Sequence, residues 1–327
     1  MTSLVVLCMV VSGQTTTTEA YMFRGQTAGT VQGTSNLVDN SFTWNPQNFA
    51  GFFYDAKKDI GTETLKMVLT GDDCRKLSGD SPNGVTYTTN AQSKAYDRAL
   101  WGAFNVICFQ ADQYFAGYLQ GDTEEDGSNI FYAESEDANS LSNEQLEKIL
   151  IDDDTERTVT SDTPLNLGEN YRLDVKKLDE NGLYLELFKN GTIIDSKVLT
   201  PSKPGATELD KTYYYKNPKV GKQSGLVTIA IHFKNAVTIQ NQTFASIDGF
   251  WQISDTPTSV KVGTKYDNMT ITDVDAINGV ITMSNKDEPI TLTKNKDTVL
   301  MPGINLKTAD NDTLRFYIYK VVNCQCG

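Results

Sequence analysis

The stretch YRLDVKKLDENGLYLELFKNGTIIDSKVL, residues 171–199, decides the fold class. Tyr171, Leu173 and Val175 alternate with polar residues, and Leu183, Leu185 and Leu187 alternate with Tyr184, Glu186 and Phe188. A period of two places each apolar set on one face of a strand. Asn181-Gly182 and Asn190-Gly191 supply the positive φ angles of tight hairpin turns, so the stretch predicts a three-stranded meander. Further along, Leu226–Phe233 reads as another strand. Thr, Tyr, Phe, Gly and Asn are abundant, which favours strands and turns over long helices. One helix is expected. Ser142 with Gln145 fits a capping box, Leu146, Ile149 and Leu150 form an apolar stripe, and Asp152 to Asp154 end it early.

The meander has a second, weaker copy. Leu167-Gly168-x-x-Tyr171 with Asn181-Gly182 parallels Val262-Gly263-x-x-Tyr266 with Asn278-Gly279. Upstream, Val106–Phe109 and Ile130-Phe131-Tyr132 parallel Ile229–Phe233 and Phe250–Ile253; downstream, Thr212–Lys216 parallels Phe316–Lys320. The matches share one order, which argues for an internal duplication of a β unit. The fold expected is therefore mainly β, as two related β-sandwich-like domains with one short helix in an insertion. The division expected is a signal-like, exposed N-terminal segment over 1–20, a first unit over 21–220 and a second over 221–327. The boundary falls in the polar stretch around Val220.

The 327 residues carry a net charge of −13 and 39% apolar side chains. A charge of that sign repels nucleic acid and anionic head groups. The apolar run Leu4–Val11 has the length of a signal-peptide core, although a positive flank is missing and a buried strand is the other reading. No later run approaches the ~18 apolar residues of a membrane span, so no membrane anchor is expected in this chain. Cys108 sits in an apolar run and reads as a buried thiol. Cys324 and Cys326 lie two apart, side by side on an extended tail, and cannot bridge each other. Exposed in an oxidising compartment they would cross-link neighbouring subunits; a frayed tail with free thiols is the plainer alternative.

No catalytic constellation emerges. His232 is the only histidine and reads as a solvent-facing or hydrogen-bonded strand residue, so a Ser-His triad is not expected. Nucleotide-binding glycine patterns are missing. The aromatic stretch Trp44, Phe49, Phe52, Phe53 and Tyr54 reads as core packing ahead of a sugar platform. Asp122–Asp126 and Asp152–Asp154 read as solvated loops, and Asp273-x-Asp275-x-x-Asn278-Gly279 as a hairpin turn ahead of a calcium loop. A divalent cation such as calcium is the one cofactor left open. Asn190, Asn241, Asn268 and Asn311 are glycosylation sequons, as many as this Asn, Ser and Thr content supplies by chance.

The segments FTWNPQNFAGFFYD (42–55) and DIGTETL (59–65) resemble the opening motif of the surface-layer duplication domain of methanogenic archaea. YTTNAQ (87–92), Trp101-Gly102 and DQYFAGY (112–118) are similar to its second block, and IDGFWQIS (247–254) and LRFY (314–317) to later ones. The resemblance runs in order from about Tyr21 to Lys320. It implies two β-sandwich domains and a non-enzymatic, self-assembling tile of a porous, acidic cell-surface coat. Relatives often carry two such units and a membrane anchor, so this chain is expected to be held by lateral self-association, in a tubular sheath or a surface layer. A secreted monomeric β module that binds glycan or cations is the alternative, and a carboxylate-pair glycosidase a more distant one.

Overall fold

The computed structural model describes residues 5–8, 18–31, 33–119, 131, 139–180 and 182–325. Asp122–Asp126, Asn181, Cys326, Ile130, Tyr132 and half of the N-terminal apolar run lie outside the described residues, the other half being the strand Val5–Cys8. The chain is mainly β, with several antiparallel sheets and no helix of seven residues or more among the described residues. It divides into two compact units. One comprises Met1–Ala91, Ile107–Gln113 and Val260–Gly327; the other comprises Gln92–Val106 and Tyr114–Ser259.

The first unit is built from two main sheets. One runs in the order Val5–Cys8, Thr18–Arg24, Arg315–Gln325, Ile304–Thr308, Asp297–Met301. The other runs Lys265–Tyr266, Met269–Asp275, Val280–Ser284, Gly84–Asn90, Thr64–Val68, Ser41–Trp44. Trp44 from one sheet and Phe316 from the other meet edge-on, their ring centroids 6.0 Å apart, which defines a sandwich interior. Trp44, Phe49 and Phe52 of the aromatic stretch pack the core, whereas Phe53 is half-buried and Tyr54 is exposed. Within this unit the buried Glu63 accepts hydrogen bonds from Phe53 N (3.0 Å), Ala111 N (2.8 Å) and the Tyr87 hydroxyl (2.8 Å). Gln110 and Ala111 both take positive φ, and the two donors of this tight turn are satisfied by the Tyr87 hydroxyl, which accepts from Gln110 N (3.1 Å), and by the Glu63 carboxylate, which accepts from Ala111 N.

The second unit is also a sandwich. Its large sheet is ordered Thr212–Asn217, Leu226–Ile239, Gln242–Ile253, Gln145–Asp153, Asp112–Tyr118, Ala103–Phe109, Gln92–Ala95, of which the strand ends within Ile107–Gln113 are counted with the first unit. Its small sheet is the meander Leu165–Asn166, Tyr171–Asp179, Gly182–Lys189, Thr192–Leu199. Leu173, Val175, Leu183, Leu185 and Leu187 pack on Tyr213, Ile229, Ile231, Phe233, Ile247 and Phe250 of the large sheet. The opposite face of that sheet is dry as well. Trp251 lies 4.9 Å from Tyr96 and 4.7 Å from Phe104, and Trp101 lies 5.5 Å from Phe131.

Three expectations are corrected. Residues 142–150 are not helical: a single 3-10 turn at Leu141–Asn143 ends at Glu144 in the left-handed conformation, and Gln145–Asp153 is a strand. Local propensity loses to tertiary pairing, because this strand hydrogen-bonds Gln242–Ile253 on one side and Asp112–Tyr118 on the other. The boundary near Val220 does not divide the units. Val220 is fully buried inside the second unit, and the turn that carries it is held by Gln145, whose Nε2 donates to Val220 O (2.9 Å) and whose Oε1 accepts from Lys222 N (2.8 Å). The repeat also fails as a division, since the Tyr171–Leu199 meander and the Ile229–Ile253 hairpin, assigned to different copies, share one core. What does recur is a three-stranded meander with a bulge in its middle strand, between Val175 and Lys177 and between Ile271 and Asp273. The two tyrosines are not equivalent within it. Tyr171 opens the middle strand, whereas Tyr266 lies in the first.

Glu147 follows Gln145 into the interior. It is fully buried, accepts from the Ser140 hydroxyl and from Gln145 Nε2 (2.7 Å), and burial pushes its carboxyl up to about 7. A carboxyl raised in the folded state binds its proton more tightly there than in the unfolded chain, so stability falls as pH rises from about 4.5 to about 7 and is level above. The loss expected is about 3 kcal/mol across that window. Denaturant titrations of the wild type and Glu147→Gln over this range will show it as a pH-dependent difference between the two proteins. A difference that does not change with pH would refute the assignment.

Candidate functional site

The densest group of titratable side chains is in the second unit. His232 and Asp248 lie on the adjacent strands Leu226–Ile239 and Gln242–Ile253, where His232 pairs with Gly249 in register. Arg98 enters from the segment that precedes the 3-10 turn Ala99–Trp101, and Glu208 precedes the 3-10 turn Leu209–Lys211. Gly249 makes the room: a Cβ there would come 2.5 Å from Arg98 Cδ and 3.2 Å from both His232 and Trp101. Arg98 grips Glu208 through Nε and through Nη2 (3.0 Å), and its Nη1 lies 3.2 Å from Asp248 Oδ1. Arg98 Nη2 donates to His232 Nε2 at 3.1 Å, while His232 Nδ1 faces Asp248.

That set of partners fixes the histidine. A guanidinium has no lone pair to offer, so Nε2 is the acceptor and the proton sits on Nδ1, donated to Asp248. Burial, reinforced by the Arg98 charge, lowers the histidine pKa. A His-Asp dyad is therefore present, but the place of a nucleophile is filled by a permanent cation. Glu208 and Asp248 share the same guanidinium, so they do not face each other across a gap as a glycosidase pair would. An adjoining cleft of about 300 Å³ is lined by Asp97, Asp154, Glu156 and Leu100. The cluster pins two short turns to a central hairpin. His232 was the only member singled out from the sequence, as a hydrogen-bonded or solvent-facing residue; it is hydrogen-bonded and 3% exposed. Only Gly249, inside IDGFWQIS, hinted at the close approach of Arg98.

The sequons separate into two kinds. Asn190 and Asn241 take positive φ in the hairpin turns after Gly182–Lys189 and Leu226–Ile239, and both are exposed. Asn311 is exposed in a turn, where its Oδ1 accepts from Thr313 N. Asn268 is half-buried, and its Nδ2 donates to Val299 O at 2.6 Å. Asp275 accepts from Ile277 N and Asn278 N, which makes the Asp273–Gly279 stretch the turn of a hairpin. Asp152 is not a loop residue, since it lies in a strand and pairs with Lys94 at 2.8 Å. Cys108 is buried and Cys74 half-buried, and neither forms a disulfide. Cys324 belongs to the strand Arg315–Gln325, opposite Glu19. Among the described residues, no group of three His, Cys, Asp or Glu side chains is placed to hold a metal.

Comparison with known proteins adds what the geometry does not carry. A family model described as S-layer protein matches residues 34–310. The major S-layer protein of Methanosarcina mazei is 25% identical over 300 residues, covering 88% of this chain and 40% of that protein. Those of Methanosarcina barkeri and Methanosarcina acetivorans are 25% and 24% identical, over 88% and 86% of this chain. The chain spans about 40% of the length of the curated relatives it matches. With a match that takes in most of the sequence, the chain belongs to the S-layer protein family.

Proposed function

We propose that this protein is a structural subunit of an archaeal cell-surface coat, self-assembling into a porous, acidic lattice. The family match over residues 34–310 carries this reading. The net charge of −13 supports a sieve whose carboxylate-lined pores admit cations and disfavour anions. The role is architectural: the one His-Asp dyad is sealed by Arg98 and serves packing. Contacts between different surface patches of identical subunits give open arrays, which is what a coat requires. Asn190, Asn241 and Asn311 are the sequons whose exposure suits glycan attachment, and Cys324 with Cys326 are the pair available for sealing neighbours covalently. A monomeric module that binds glycan or divalent cations such as calcium is the second reading.

Electron microscopy and non-reducing gels of the purified protein separate these readings. Ordered sheets or tubes that fall apart only with reductant are expected if the terminal cysteines seal a sheath; arrays indifferent to reductant keep the coat without the cross-link. A monomer at every concentration and cation level would reject the coat. Glycopeptide mass spectrometry of protein from its native cells is expected to find sugar on Asn190, Asn241 or Asn311 in preference to Asn268. Arg98→Ala should cost about 3–5 kcal/mol of stability in denaturant melts, because it leaves Glu208 and Asp248 without their buried counter-charge. Arg98→Lys should recover little of it, since an ammonium cannot make the bidentate contact with Glu208. Full stability in Arg98→Ala would contradict the architectural role.

A further inference from the structure

The small sheet of the second unit ends in the strand Thr192–Leu199, which hydrogen-bonds Gly182–Lys189 on one side and, among the described residues, has no strand on the other. At eight residues it is the longest edge strand among the described residues. Other edges are short, as in Leu165–Asn166, Gln92–Ala95 and Ser41–Trp44. Long exposed edges are templates for pairing with another chain, and soluble proteins usually blunt them. This one exposes apolar side chains instead: Ile193 is 52% exposed, Ile194 38% and Val198 47%.

Its sequence is complementary to itself when read antiparallel. Two copies paired edge to edge about a twofold axis through the sheet keep the same face up, so residues on like faces must meet. Centred on Ser196, the pairing sets Asp195 against Lys197 of the second copy and Lys197 against its Asp195. It also sets Ile194 against Val198. Slipping by one step to the next allowed register sets either Asp195 against Asp195 or Lys197 against Lys197, which is destabilising. The charged pair is also pre-positioned. The Asp195 carboxylate accepts the Tyr213 hydroxyl at 2.6 Å, and Lys197 Nζ lies 3.7 Å from the centre of the Tyr214 ring. The ladder with Gly182–Lys189 has a bulge at Ile194 and is regular from Asp195 on, so the pairing is anchored on Asp195, Ser196 and Lys197, where the backbone of both copies is straight.

We infer that Thr192–Leu199 is a contact by which a second copy of this chain adds its own Thr192–Leu199 strand, joining two four-stranded sheets into one. The occupant is a second copy because the complementarity is internal to the strand. This rests on the coat reading and names one of its contacts. As a single strand pair it is a weak contact that lattice neighbours reinforce.

Cysteine trapping tests it, in a background carrying Cys324→Ser and Cys326→Ser. Ser196→Cys places a thiol opposite its own copy, within disulfide reach, and oxidation is expected to convert most of the assembled protein to a covalent dimer. Val198→Cys, whose thiols would stand about 13 Å apart in this register, is expected to stay uncrosslinked. Ile194→Lys with Val198→Lys, both at exposed positions, should abolish the Ser196→Cys dimer while circular dichroism and melting stay as in the parent. Equal cross-linking of Ser196→Cys and Val198→Cys, or none in assembled arrays, would overturn the pairing and leave the coat standing. A Ser196→Cys dimer in protein that never forms arrays would keep the pairing and reject the coat.

Discussion

The hairpin formed by Leu226–Ile239 and Gln242–Ile253 is buried on both faces over residues 226–233 and 249–253, and most of the second unit follows from that. Phe250 points toward the leucines of the small sheet, and its neighbour Trp251 points toward Tyr96 and Phe104 on the other side. A strand dry on both faces reads as an unbroken apolar run, and Leu226 to Phe233 are all buried. Such a sheet needs two covers. The meander supplies one, and the Asp97–Gly102 segment with Phe131 supplies part of the other. Covering segments that carry polar groups into the interior must then satisfy them there, which is the task of Arg98 with Glu208, of Lys94 with Asp152 and of Glu147 with Ser140 and Gln145.

The same constraint decides what the sequence disclosed. Alternation in Tyr171–Leu199 and the glycine turns read correctly because a one-face-buried strand and a tight turn are local events. The Gln145–Asp153 strand did not, because Leu146, Ile149 and Leu150 fit a helical stripe equally well and the deciding partners are about a hundred residues away in Gln242–Ile253. Val220 misled for a related reason. A polar stretch around a valine looks like a linker until Gln145, distant in sequence, is seen to bind its backbone on both sides. The ion cluster was nearly invisible, since Arg98, Glu208 and Asp248 are ordinary surface residue types and only the fold brings them to His232.

His232 shows how close a structural cluster can come to the look of a catalytic one. Geometry alone supplies a histidine, an oriented carboxylate and an adjoining cleft. Identity of the third partner decides the matter. A hydroxyl or thiol facing Nε2 would be activated by it, whereas a guanidinium facing Nε2 consumes its lone pair and returns nothing to the chemistry. The charged groups are held for shape.

On the coat reading proposed above, the functional chemistry belongs at the margins of the chain. What this chain leaves exposed are turns and an edge: Asn190 and Asn241 at hairpin tips, and Ile193, Ile194 and Val198 along the outermost strand of the small sheet. An edge of that length is a liability in a free monomer. In a subunit that is meant to meet its own kind, the exposed ladder is an asset, provided register is controlled. Asp195 and Lys197 provide that control at little cost in stability, because opposed charges separated by one residue favour a single antiparallel alignment over its neighbours in either direction.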